Sequence, residues 1–184
     1  IHRKRWDEAS QMADQALAVD PEDPELQSKV AAIKDAPRQA KLAAYRAEAE
    51  RAIESQKFDQ AIQALEAALL LAPDSADLQD WLASVRSNQK QARLDHYNAQ
   101  AENAAAAGDW DAALAAREKA LAIDPEDPTL TQALENTRAA QHQAQIDALQ
   151  GKLQTAREAG RWEAAIQAAQ QLIGLEPEEE QWQD

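Results

Sequence analysis

Gly108-Asp109-Trp110-Asp111-Ala112-Ala113-Leu114-Ala115-Ala116-Arg117-Glu118-Lys119-Ala120-Leu121-Ala122-Ile123-Asp124-Pro125 reads as one complete helix with its start and its stop. The Gly-Asp pair is a turn signal. Trp110, Ala113, Leu114, Ala120 and Leu121 then fall on one face of a 3.6-residue period. The run closes at Asp124-Pro125, where proline cannot continue a helix interior but suits the first turn of the next one.

Moving outward in either direction, the same register returns. Trp6, Phe58, Trp110 and Trp162 recur at intervals of 52 residues, and Pro21, Pro73, Pro125 and Pro177 keep the same interval. Ala61 and Ala68 stand where Ala113 and Ala120 stand, while Leu172 replaces the second alanine in the last copy. A fixed period of this kind marks a tandem-repeat protein. The repeats run over 6–57, 58–109, 110–161 and, incompletely, 162–184. They form one array over 1–184, whose abrupt start at Ile1 is expected of a fragment of a longer chain.

Between the short helices lie long stretches from Glu25 to Ser55, Asp77 to Ala107 and Thr129 to Ala159. Their only helix breakers are Pro37 and Gly151. Each predicts a second helix of about 31 residues, or roughly 46 Å. The first half carries Leu26, Val30 and Ile33, or Leu78, Leu82 and Val85. The second half carries Leu42, Tyr45 and Ala49, or Leu94, Tyr97 and Ala101, and Ser87-Asn88-Gln89-Lys90-Gln91 makes a polar waist between halves.

Composition agrees with an all-α class. The apolar fraction is 45%, much of it alanine; glycine occurs four times and aromatic residues make up 4%. Runs of Val, Ile and Thr that favour strands are missing. The 33 acidic against 19 basic residues give a net charge of −14, which repels phosphate backbones, so nucleic acid is not an expected partner. The absence of cysteine excludes disulfides and thiolate metal sites. No apolar run approaches the roughly 20 residues that span a bilayer, so no membrane association is expected. The expected setting is cytoplasmic.

The segment Gly108 to Pro125 resembles the second helix of a tetratricopeptide repeat, with small residues at Ala113 and Ala120 and proline at Pro125. Ala9, Ala16 and Pro21, and Ala61, Ala68 and Pro73, repeat that set. Tyr45 with Ala49, and Tyr97 with Ala101, loosely match the family's first helix. The chain departs from the family at Arg117, where an aromatic residue is usual, and in length. A tetratricopeptide unit has about 34 residues; the surplus here, about 18, is five turns at 3.6 residues per turn. Five whole turns leave the downstream face in phase. A short helix of about 14 residues is therefore expected to pack between the second half of one long helix and the first half of the next. Repeated, this gives a spectrin-like rod of three-helix bundles advancing roughly 25 Å per repeat, with a compact superhelix as the competing geometry.

Trp6, Phe58, Trp110 and Trp162, with Ala61, Ala68, Ala113 and Ala120, are expected to be packing anchors rather than ligand contacts. Trp81 lies outside that register and is the weak candidate for a partner contact. The acidic loop Asp20-Pro21-Glu22-Asp23-Pro24 lacks the calcium-loop spacing, and His2, His96 and His142 form no i, i+4 pair, so no metal or cofactor is expected. No phosphate loop or nucleophile elbow occurs, so no catalytic residue is assigned. The resemblance implies a non-catalytic scaffold that binds a protein or peptide partner. A spacer between domains, or self-association through open repeat ends, are the alternatives.

Overall fold

The computed structural model describes residues 2–176, and every regular element among them is an α-helix. In chain order these are α1 (His2–Val19), α2 (Pro24–Glu54), α3 (Phe58–Leu71), α4 (Ala76–Ala106), α5 (Trp110–Ile123), α6 (Pro128–Glu158) and α7 (Trp162–Leu175). Short and long helices alternate as the 52-residue period requires. Pro177 and Trp182 lie outside the described residues.

Local chemistry fixes each boundary. Pro24 and Pro128 occupy the first turns of α2 and α6, where a missing N–H costs nothing. Asp23 caps α2 by accepting from the Glu25 and Leu26 amides at 2.8 and 3.3 Å, and Asp127 caps α6 by accepting from Thr129 at 2.8 Å. Long helices end in one repeated motif. The amides of Lys57, Asp109 and Arg161 reach back to the carbonyls of Ala52, Ala104 and Ala156 at 2.8, 2.9 and 2.9 Å. That closure needs a left-handed residue one place earlier. Gly108 and Gly160 supply it with φ of 77° and 66°, whereas the equivalent Gln56 is held at 56°. A side chain pays for this conformation and glycine does not. Gln56→Gly is expected to stabilise the protein by about 0.5–1 kcal/mol in denaturant unfolding.

The chain divides into two compact units, residues 1–91 and 92–184. The division falls at the polar waist of α4, after Ser87-Asn88-Gln89-Lys90-Gln91. In the first unit, α3 is clasped by the second half of α2 and the first half of α4. Ala49 and Ala52 from α2, Ala61, Ala64, Leu65 and Ala68 from α3, and Leu78, Leu82 and Val85 from α4 form a single core. Alanine on the short helix lets the backbones approach closely, and leucine and valine fill the other side. Arg38 bridges the same elements: it donates to the Leu71 carbonyl at 2.9 Å and to Asp35 at 2.5 Å. The guanidinium, followed by Gln39, holds the Asp35 carboxyl below its ordinary value.

In the second unit, Leu94 of α4, Ala120 of α5 and Leu130 of α6 make one cluster, covered by Tyr97, Leu121 and Ile123. Ile146 and Leu149 of α6 with Leu172 of α7 make another, covered by Leu153 and Leu175. Gly151 lies inside unbroken α6, and Pro37 inside unbroken α2.

A ladder of ion pairs repeats with the period. Lys34 meets Asp14 at 2.5 Å, Arg86 meets Glu66 at 2.7 Å and Arg138 meets Glu118 at 3.6 Å. Each links the first half of a long helix to the short helix before it. Exposed pairs of this kind contribute about 0–1 kcal/mol each. Their value is in register: each bond forms only when the two helices are aligned as the leucines require.

Candidate functional site

The alanines Ala61, Ala68, Ala113 and Ala120 are fully buried, and Trp6, Phe58 and Trp110 are half-buried, the latter two at the starts of α3 and α5. Trp162 departs from its three counterparts with 66% of its surface exposed, because no described helix lies over that side of α7. Trp81 is half-buried and packs on the core of the first unit, so much of its ring is spent on the fold.

Among the described residues, a surface that departs from the repeat in shape and in charge is a groove between the second half of α6 and α7, within the second unit. Ala148, Gly151, Lys152, Thr155 and Ala156 line it from α6, and Ala164, Gln167, Ala168 and Gln171 from α7. Arg161, at the start of α7, lines it as well. The volume of the groove is about 680 Å³. A second depression of about 430 Å³ adjoins it through the shared residues Ala148, Lys152 and Gln171, and ends at Gly174 and Leu175.

Comparison with the other copies explains the opening. At the place of Gly151 stand Ala47 and Ala99, and at the place of Gly174 stand Leu70 and Ala122. At the place of Lys152 stand Glu48 and Gln100, and at that of Arg161 stand Lys57 and Asp109. The α6–α7 surface has thus lost side-chain volume at two positions. Its lining carries two cations and no carboxylate, in a chain whose net charge is −14.

Gly151 has no packing reason to be glycine. A Cβ built there meets nothing within 4 Å, so it projects into open groove. Glycine inside a helix costs about 0.5–1 kcal/mol relative to alanine. Gly151→Ala is accordingly expected to raise stability by about 0.5–1 kcal/mol, read by denaturant unfolding of the second unit.

The side chains that line this surface offer groups for binding. Lys152 and Arg161 offer hydrogen-bond donors and positive charge; Gln145, Gln167 and Gln171 offer amides that pair with an extended backbone. Among the described residues no group of three or more His, Asp or Glu side chains is placed to hold a metal ion. Among the same residues no helix is long and apolar enough to cross a membrane.

Fold and surface together define the class: an all-α array of helical repeats in which neighbouring helices pack on one another. No protein-family model matches the chain, and no curated protein matches it either.

The groove left no signature in residue types, because it is made by atoms that are missing. Gly151 and Gly174 are its trace in the sequence, and a glycine within a helix does not by itself mark a groove. The ion-pair ladder, by contrast, stood in the sequence as acidic residues 14, 66 and 118 and basic residues 34, 86 and 138 at the repeat interval.

Proposed function

We propose that this chain is a non-catalytic protein–protein interaction scaffold of tetratricopeptide-like repeats, and that the α6–α7 groove takes an extended segment of a partner protein. The observation that carries this reading is Gly151: a glycine that weakens α6, meets no neighbour that would require it, and lines the groove. A stability cost without a packing return is expected where binding is served. The net charge of −14 steers basic or neutral surfaces toward the molecule as a whole. Within the groove the local sign is reversed, and Lys152 and Arg161 favour a segment carrying carboxylates. The glutamines and the small floor supply contacts to its backbone.

The test is selection from a displayed peptide library against the native protein, with Lys152→Glu/Arg161→Glu as counter-target. Peptides retained by the native protein alone, and enriched in Asp or Glu, support the reading. Equal retention by both proteins contradicts it. A spacer between domains is the alternative. It differs in expecting groove substitutions to be silent while deletion of a whole 52-residue repeat changes function in steps.

A further inference from the structure

The side of the repeat that holds the groove stays open where a further long helix is present. Ala47 and Leu70, the counterparts of Gly151 and Gly174 on α2 and α3, are exposed although α4 packs on α3. Leu70 is 85% exposed. Ala99 and Ala122, the counterparts on α4 and α5, are exposed although α6 packs on α5. What differs between copies is how far the chain fills this side with its own atoms.

In two copies an aromatic ring belongs here. Tyr45 and Tyr97 stand at the position of Leu149, and both are half-buried. Lys119, the counterpart of Gln171, places its Nζ 5.9 Å from the centre of the Tyr97 ring. In the third copy Leu149 is 9% exposed and turned into the core beside Ile146 and Leu172. The ring is gone, and the depression of about 430 Å³ between Leu149, Gln171 and Leu175 remains. Gly174 widens it, since a Cβ built there meets nothing within 4 Å.

Helix geometry sets this depression against the two cations. α6 turns back into α7 at Arg161, and Leu149 packs with Leu172. At about 1.5 Å rise per residue, Gly174 lies about 8 Å along the groove from Lys152 and about 20 Å from Arg161. An extended chain covers those spans in about two and about six residues, at roughly 3.3 Å each.

We propose that the depression is the anchor subsite of the groove and takes an aromatic side chain of the bound segment, with carboxylates about two and about six residues from that ring. The proposal rests on the groove reading above and adds the residue that decides which acidic segment is held. Exposed ion pairs alone contribute little, so Lys152 and Arg161 select the segment by charge and the seated ring holds it. Lys152 borders both depressions, which puts a cation beside the ring as Lys119 is beside Tyr97.

The experiment is the displayed-library selection with two further variants, Gly174→Leu and Leu149→Tyr/Leu172→Ala. The first restores the side chain of Leu70; the second restores the tyrosine and alanine of the other copies and fills the depression from within. Both leave Lys152 and Arg161 in place, and Gly174→Leu leaves the buried cluster untouched. Each is used once its urea transition matches that of the native protein. Peptides retained by the native protein and lost with Lys152→Glu/Arg161→Glu are expected to carry Phe, Tyr or Trp about two residues from an acid. One such peptide, dye-labelled, is expected to bind both further variants at least about tenfold more weakly than the native protein. Replacing its aromatic residue by alanine is expected to cost as much and to erase the difference between proteins. Selected acidic peptides without an aromatic preference, or undiminished binding to Gly174→Leu, overturn the anchor and leave the groove reading standing. Equal retention by the native and Lys152→Glu/Arg161→Glu proteins overturns both.

Discussion

Ala120→Leu destabilises the second unit by about 1–3 kcal/mol, and adding Tyr97→Leu recovers most of that loss. The reason lies in a volume exchange between copies. Ala120 is fully buried in the cluster that Tyr97 covers, and Ala68 is fully buried in the core that Tyr45 covers. In the α6–α7 pair the alanine position holds Leu172, also fully buried, and the tyrosine position holds Leu149. Large against small in two copies has become medium against medium in the third. A leucine placed opposite Tyr97 overfills the site, because close-packed interiors do not yield by several methyl groups without strain. Removing the ring makes room. The single Tyr97→Leu change also forfeits the cation–π contact from Lys119, whose Nζ lies 5.9 Å from the ring centre, so the rescue falls short of complete. A double-mutant cycle in urea measures the coupling. Strict additivity of the two changes would mean that these positions do not face each other.

Leu65→Ala costs about 2–5 kcal/mol in the first unit. Leu65 is among the largest fully buried side chains, and it lies in the α3 layer between Ala49 and Ala52 of α2 and Leu78, Leu82 and Val85 of α4. Helices held apart by their other contacts cannot collapse into the void, so the cavity cost adds to the lost burial. The equivalent position in the second unit behaves differently. Arg117 stands there with 15% of its side chain exposed, donating to Asn98 at 2.6 Å and lying 3.9 Å from Glu102. Asn98 replaces Arg46 of the first unit, so the guanidinium has moved from the long helix to the short one. Denaturant melts of Leu65→Ala and Arg117→Ala, compared unit by unit, are expected to show the larger loss at Leu65. A loss below about 1 kcal/mol there would contradict the core assignment.

The architecture was legible because the period supplied the same evidence several times. Phe58–Leu71 and Trp110–Ile123 could be placed from an aromatic start and a proline stop, and the clasp of α3 and of α5 by two half-helices followed from the apolar halves and the polar waist. The long helices begin one residue earlier than Glu25, Asp77 and Thr129, because Pro24, Ala76 and Pro128 already belong to the first turn. The left-handed closure at Gln56 was hidden, since the residue that marks it elsewhere is glycine. The exposure of Trp162 follows from the incomplete last repeat, 162–184, since no described helix comes after α7. The groove was least visible of all. Its shape depends on two missing side chains, and its charge depends on which faces of α6 and α7 come together.

The binding isotherm of a library-selected peptide, measured with the native protein and with Gly151→Leu, tests the central claim most directly. The groove reading predicts that leucine strengthens α6, as any good helix former does in place of glycine, while its side chain fills the groove and lowers peptide affinity by about tenfold or more. A protein that gains stability and binds the peptide as tightly as before would show that the groove is not where the partner is held.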